Sequence, residues 1–161
     1  MVEITYTGYA PGTIGRITEL HGTYYARHWQ MGLFFEAKVA AELAELLGRL
    51  DPAGDLFLAA RDGERIIGSI ALDGGRDADG ARLRFFIVDP AYQGRGVGRE
   101  LMRRAMDFCR RAGHGRVYLW TFAGLDAARR LYEEFGFVLV REHPDDQWGL
   151  TLSEQMFEWR P

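Results

Sequence analysis

Val2 to Tyr9 opens the chain with alternating apolar and polar residues and breaks at Pro11 and Gly12, as a short half-buried strand does. The period then changes. Ile14, Ile17, His21, Tyr24, Tyr25 and His28 recur at helical spacing, and a second helical run follows in Val39, Leu43, Leu46, Leu47 and Leu50, closed by Asp51 and Pro52. DLFLAARDGERIIGSIALDGG returns to strand composition on both sides of a turn at Asp62 and Gly63, which predicts a hairpin. Beyond it lie a strand RLRFFIV, a helix with Val97, Leu101, Ala105 and Phe108 on one face, a strand VYLWT, a helix around AARRLYEEF, and two closing strands between Gly136 and Trp159. The predicted order is β-α-α-β-β-β-α-β-α-β-β, an α/β chain whose strands form one mixed sheet.

Composition narrows this picture. A chain of 161 residues with 47% hydrophobic and 27% charged residues is expected to form one domain over residues 1–161, with no disordered or repeated tract. The formal net charge of −3 supplies no positive field for nucleic acid, so no nucleic-acid partner is expected. Cys109 is the single cysteine, which excludes an internal disulfide, and no apolar run is long enough to span a membrane. A cytoplasmic location is the resulting expectation.

The stretch VDPAYQGRGVGREL concentrates candidate chemistry: a strand end, a proline turn, three glycines and a helix start. A dinucleotide fingerprint counted from Gly94 and Gly96 needs its third glycine where Arg99 stands, and no Gly-Lys-Ser/Thr follows for a P-loop. What remains is Q-x-x-G-x-G on Gln93, Gly96 and Gly98. Glycines at a helix start let backbone N–H groups converge on an anion, and a pyrophosphate suits such a place, with Arg95 and Arg99 at its rim. A tight turn that only begins a helix is the structural alternative.

FFIVDPAYQGRGVGRELMRRAMDFCRRAG resembles the acetyl-coenzyme A binding motif of the GNAT superfamily of N-acetyltransferases, and LDAARRLYEEFGF resembles that family's closing motif. The order of elements is similar along the whole chain. YYARHWQMGLFFEAKVAAEL, RFFIVDP, YLWTFAGLDAARRLY and DQWG resemble a bacterial branch whose members often follow a MarR-like winged-helix half. Residue 1 falls almost at the first strand, so a stand-alone form and a piece of a longer protein both stay open.

The resemblance implies a GNAT fold with a splayed central sheet, and acetyl transfer from acetyl-CoA to a primary amine of a small molecule or peptide by direct attack in a ternary complex. It implies cofactor contacts from the backbone of Phe86, Ile87 and Val88, from the turn of Gln93, Gly94, Arg95, Gly96, Val97, Gly98 and Arg99, and from Ala128. It also places Tyr132 as general acid, against the alternative of a core tyrosine; no metal is called for. Two positions depart from the family. Leu125 stands where an asparagine often contacts the cofactor arm, and Arg82 occupies the strand position of a common catalytic glutamate. Glu36 is the first candidate for a replacement base, with His21, His28, Asp146 and a water relay as alternatives.

The acceptor pocket is expected from the first two helices and the last hairpin, with Tyr25, His28, Trp120 and Trp148 foremost among Tyr24, Trp29, Phe34 and Phe35. Aromatics of this kind can cage an amine, and Arg82 and Arg84, on one face of their strand, suit a carboxylate. The alternative function is a non-catalytic acetyl-CoA sensor. A homodimer is the expected assembly.

Overall fold

The computed structural model of the protein describes residues 3–75, 80–146 and 150–161. Its strands are β1 (Ile4–Thr7), β2 (Leu56–Asp62), β3 (Arg65–Asp73), β4 (Ala81–Val88), β5 (Val117–Phe122), β6 (Val138–Asp145) and β7 (Leu152–Trp159). Four helices join them: α1 (Thr13–Trp29), α2 (Leu33–Gly48), α3 (Val97–Ala112) and α4 (Asp126–Glu134). The sequence of elements is the one that the periodicity predicts. The seven strands form one sheet in the order β1-β2-β3-β4-β5-β7-β6, parallel between β4 and β5 and antiparallel at every other pair.

The sheet is covered on both faces. On one, Ile17 and Leu20 of α1 and Leu43 and Leu46 of α2 pack onto Phe57 and Ala71 of the sheet. On the other, α3 buries Leu101, Met102, Ala105 and Met106 completely, a spacing that keeps one face of a helix on the strands. Cys109 belongs to this second core, where burial pushes its thiol up to about 12. Two local expectations shift. The hairpin pairs Asp62 with Arg65, so its two-residue turn is Gly63 and Glu64, and α2 ends at Gly48, leaving Leu50 outside the helix.

Two irregularities in β4 decide where a ligand can enter. The ladder between β4 and β5 holds only at Ala81 with Val117 and Arg82 with Tyr118; beyond these the strands part, leaving main-chain groups on both inner edges without a partner strand. One strand earlier, the register between β3 and β4 shifts between Ser69 and Ala71, and Phe85 adopts a left-handed φ of 52°. The Ser69 hydroxyl donates to the Phe85 carbonyl at 2.6 Å, which fastens this bulge at Phe85 and Phe86; Ile87 and Val88 then pair with Ser69 and Gly68 of β3. The predicted splay is therefore present, and a bulged residue marks its mouth.

Candidate active site

The strand parting opens into a continuous cleft of 1140 Å³. Its cofactor-side wall begins where β4 ends. Asp89 caps the short 3-10 turn Pro90–Tyr92 by accepting from the Ala91 N–H at 3.0 Å, and its other oxygen accepts from Arg16 at 3.2 Å and Arg65 at 3.3 Å. The turn is thus tied to α1 and β3. Gln93 donates from Nε2 to the Val88 carbonyl at 3.3 Å, closing the loop over the strand end.

Gly94 and Gly96 follow with φ of 77° and 81°, values that a residue with a Cβ reaches only under strain. Gly96 caps α3 with no side-chain hydrogen bond, and the first intrahelical bond runs from the Glu100 N–H to the Gly96 carbonyl at 3.0 Å. The N–H groups of Val97, Gly98 and Arg99 lie ahead of it, at the positive end of the helix dipole. Such a cradle fits a pyrophosphate, and the unpaired strand edges beside it fit an amide-bearing arm. Phe86, Ile87, Val88, Gln93, Gly94, Gly96, Val97, Gly98, Arg99 and Ala128 all line the cleft.

Arg95 is placed differently. Its guanidinium lies over the Tyr92 ring, 5.2 Å from the centroid, and it is not among the lining residues. Arg99 does line the cleft, with its charge engaged by Glu134 at 2.8 Å. The donors this turn presents to the cleft are therefore chiefly backbone N–H groups.

Tyr132 projects from α4 into the floor of the cleft and is only 6% exposed. Phe86, Phe137 and Phe157 surround its ring at centroid distances of 6.0, 6.2 and 6.0 Å. Burial, and then the neighbouring Tyr25, raise its phenol above the ordinary tyrosine range and keep it protonated at neutral pH. Tyr25 is raised in the same way, first by burial and then by Tyr24.

The wall across the cleft combines α1, α2, β5 and β7. Tyr25, His28 and Trp120 line it; Trp148 lies outside the described residues. His21 also lines it, stacked on Tyr25 at 6.4 Å with Nδ1 placed 2.8 Å from the Ile17 carbonyl. Burial drives the His21 imidazole down to about 4, so it stays neutral at pH 7 but is a weak base.

Glu36 and Asp146 are not brought to this wall. The exposed Glu36 side chain lies over Gly22, where the two helices cross and any Cβ would collide with its carboxylate, and neither residue is among those lining the cleft. The spacing placed Glu36 near the start of α2, but the helix turns it toward α1. Sequence reasoning missed Glu154, which reaches the cleft from β7 opposite Phe122, and Lys38 and Glu42 of α2. Strand pairing brings Glu154 there, and no local pattern announces that.

A family model described as the acetyltransferase (GNAT) family matches residues 15–137. The chain belongs to the GNAT family. It is 29% identical over 138 residues to an N-acetylaspartate synthetase of Danio rerio, covering 83% of this chain and 49% of the relative. It is 32% identical over 154 residues to a mycothiol acetyltransferase of Rhodococcus erythropolis, covering 92% of this chain and 49% of that protein. The chain thus spans about half the length of these curated relatives. Among solved structures, a putative acetyltransferase from Salmonella typhimurium with its cofactor acetyl-CoA superposes with a TM-score of 0.72 at 22% identity, covering 98% of this chain and 93% of that one. That likeness establishes the GNAT fold.

Proposed function

We propose that this protein is an N-acetyltransferase that moves an acetyl group from acetyl-CoA to a primary amine within a ternary complex. One observation carries the reading: the parting of β4 and β5 joins the uncapped start of α3 and the buried phenol of Tyr132 in a single cleft. Acetyl-CoA would supply the thioester, whose C–S bond breaks as the amine nitrogen forms the new C–N bond. The N–H groups of Val97–Arg99 would hold its pyrophosphate, and the free edges of Phe86–Val88 and β5 would hold its arm.

Tyr132 acts as the acid, donating its proton to the departing sulfur. Accepting the amine's proton falls to His28 or Glu154, which line the cleft. Glu42 is committed to Lys38 at 2.7 Å and Arg84 at 3.0 Å. Leu125 lines the cleft without the amide of the family's asparagine, so the arm relies on backbone contacts at that point.

Three further readings accompany the activity. A homodimer is supported by the exposed Val138, Leu139 and Val140 on β6, one of the two edge strands of the sheet. The bacterial MarR-associated branch and a cytoplasmic location are supported by the sequence stretches alone; no helix among the described residues is long and apolar enough to cross a membrane. One domain over residues 1–161 is supported by the continuous sheet.

Thiol release from acetyl-CoA across polyamines, amino acids, aminoglycosides and N-terminal peptides tests the activity. Release that depends on one acceptor class establishes transfer. Tight acetyl-CoA binding with no acceptor-dependent release would instead identify a sensor.

A further inference from the structure

Arg82 lines the cleft at the last paired position before β4 and β5 part. Its side chain is half-buried, and its Nε is sealed from solvent with no hydrogen-bond partner among the described residues. Its surroundings show how unusual this is. On α2, Glu42 accepts from Lys38 at 2.7 Å and from Arg84 at 3.0 Å; on β3, Asp73 accepts from Arg49 at 2.8 Å and from Arg84 at 3.4 Å.

The carboxylates near Arg82 are thus already matched by other cations, and among the described residues none forms an ion pair with it. Burial and the like charge of Arg84 both work against the charged form of Arg82, against weaker support from Tyr118, Glu42 and Asp73. A guanidinium with a buried, unmatched donor costs stability unless something carrying negative charge completes it.

We infer that Arg82 receives a carboxylate of the acceptor, and that the acceptor is an amino acid whose amine is held toward the thioester while its carboxylate pairs with the guanidinium where β4 and β5 begin to part. The inference rests on the acetyl-transfer reading for the word acceptor, but carboxylate binding at Arg82 stands on its own geometry. Two features set the class. The planar fork of arginine matches a carboxylate, and the aromatic wall of Tyr25, His28 and Trp120 suits the neighbouring amine. The same arginine replaces the family's strand glutamate, so the position changes from taking a proton to anchoring the molecule that loses it.

The test uses the full chain with coenzyme A and compares each of the common amino acids with its carboxamide and its decarboxylated amine, by calorimetric binding and by thiol release from acetyl-CoA. At least one amino acid should bind, and should lose roughly 10- to 150-fold in affinity as the amide or the amine, the scale of a lost hydrogen bond to a charged group. Side-chain amides of aspartate and glutamate tell which carboxylate is held. Arg82→Gln should erase the preference, and Arg82→Leu should melt no lower than the wild type, because the group removed has no hydrogen-bond or ion-pair partner among the described residues.

Carboxylate-dependent binding without thiol release would uphold the inference and refute acetyl transfer. Release with amines lacking a carboxylate, at rates equal to those of the acids, would uphold transfer and overturn the inference. Absence of any carboxylate binding, or a marked loss of stability in Arg82→Leu, would also overturn it.

Discussion

The cofactor-side wall of the cleft is written largely in one unbroken run, from Phe85 through the glycine turn to Arg99, while the acceptor-side wall draws on residues as far apart as His21 and Glu154. The first works mainly through backbone: positive-φ glycines, an uncapped helix start and the unpaired edge of β4. The second works through side chains set on four separate elements. A site made of backbone tolerates many side chains around it but not a change of φ. A site made of side chains can change its ligand by one substitution, which is the role proposed for Arg82.

Tyr132→Phe breaks the comparison most sharply, because this one side chain serves the backbone-built half. Loss of a positioned acid is expected to lower kcat by about 100-fold or more with little change in acetyl-CoA affinity, measured as steady-state thiol release and calorimetric binding. An unchanged kcat would return Tyr132 to the role of a core tyrosine.

On the acceptor side, His21 predicts a pH-dependent stability. Its imidazole is held at about 4 in the folded chain against 6.5 when unfolded, so between these values the unfolded state takes up a proton that the folded state refuses. Stability is therefore lost as pH falls from 6.5 toward 4, by on the order of 3 kcal/mol from this group, and is unaffected by it above that window. Urea denaturation at several pH values should show the slope, and His21→Gln should remove that share of it.

Gly96→Val probes the backbone side. At a φ of 81° a β-branched residue strains the turn, and about tenfold weaker acetyl-CoA binding is expected, matching the roughly 1–2 kcal/mol cost of left-handed backbone for such residues. Equal affinity would mean that the turn does not hold the pyrophosphate. The smallest effect belongs to Glu36→Gln. Its carboxylate lies over Gly22 away from the cleft, so the pH profile of thiol release should be unchanged; a lost basic limb would restore Glu36 as the proton acceptor.

How much of this was legible beforehand follows the same division. The element order could be read because amphipathic period and glycine placement are local properties, as in α3, whose buried face repeats at helical spacing and stops at Gly113. The glycine turn, and Tyr132 within its closing motif, lie in continuous segments for the same reason. Glu36 was misplaced because helical spacing says which residues share a face but not toward which neighbour the face turns. Glu154 was missed because only the pairing of β5 with β7 puts it beside Phe122.

From residues alone came the mixed sheet, the order of its elements, the glycine turn at the start of α3 and the family resemblance, all carried by patterns within short stretches of chain. Tertiary structure decided the rest: the parting of β4 and β5 after Arg82, the bulge at Phe85, and the matching of Glu42 and Asp73 by other cations, which leaves Arg82 Nε without a partner among the described residues. These depend on register and charge pairing between segments distant in sequence, and such pairings exist only once the chain has closed on itself.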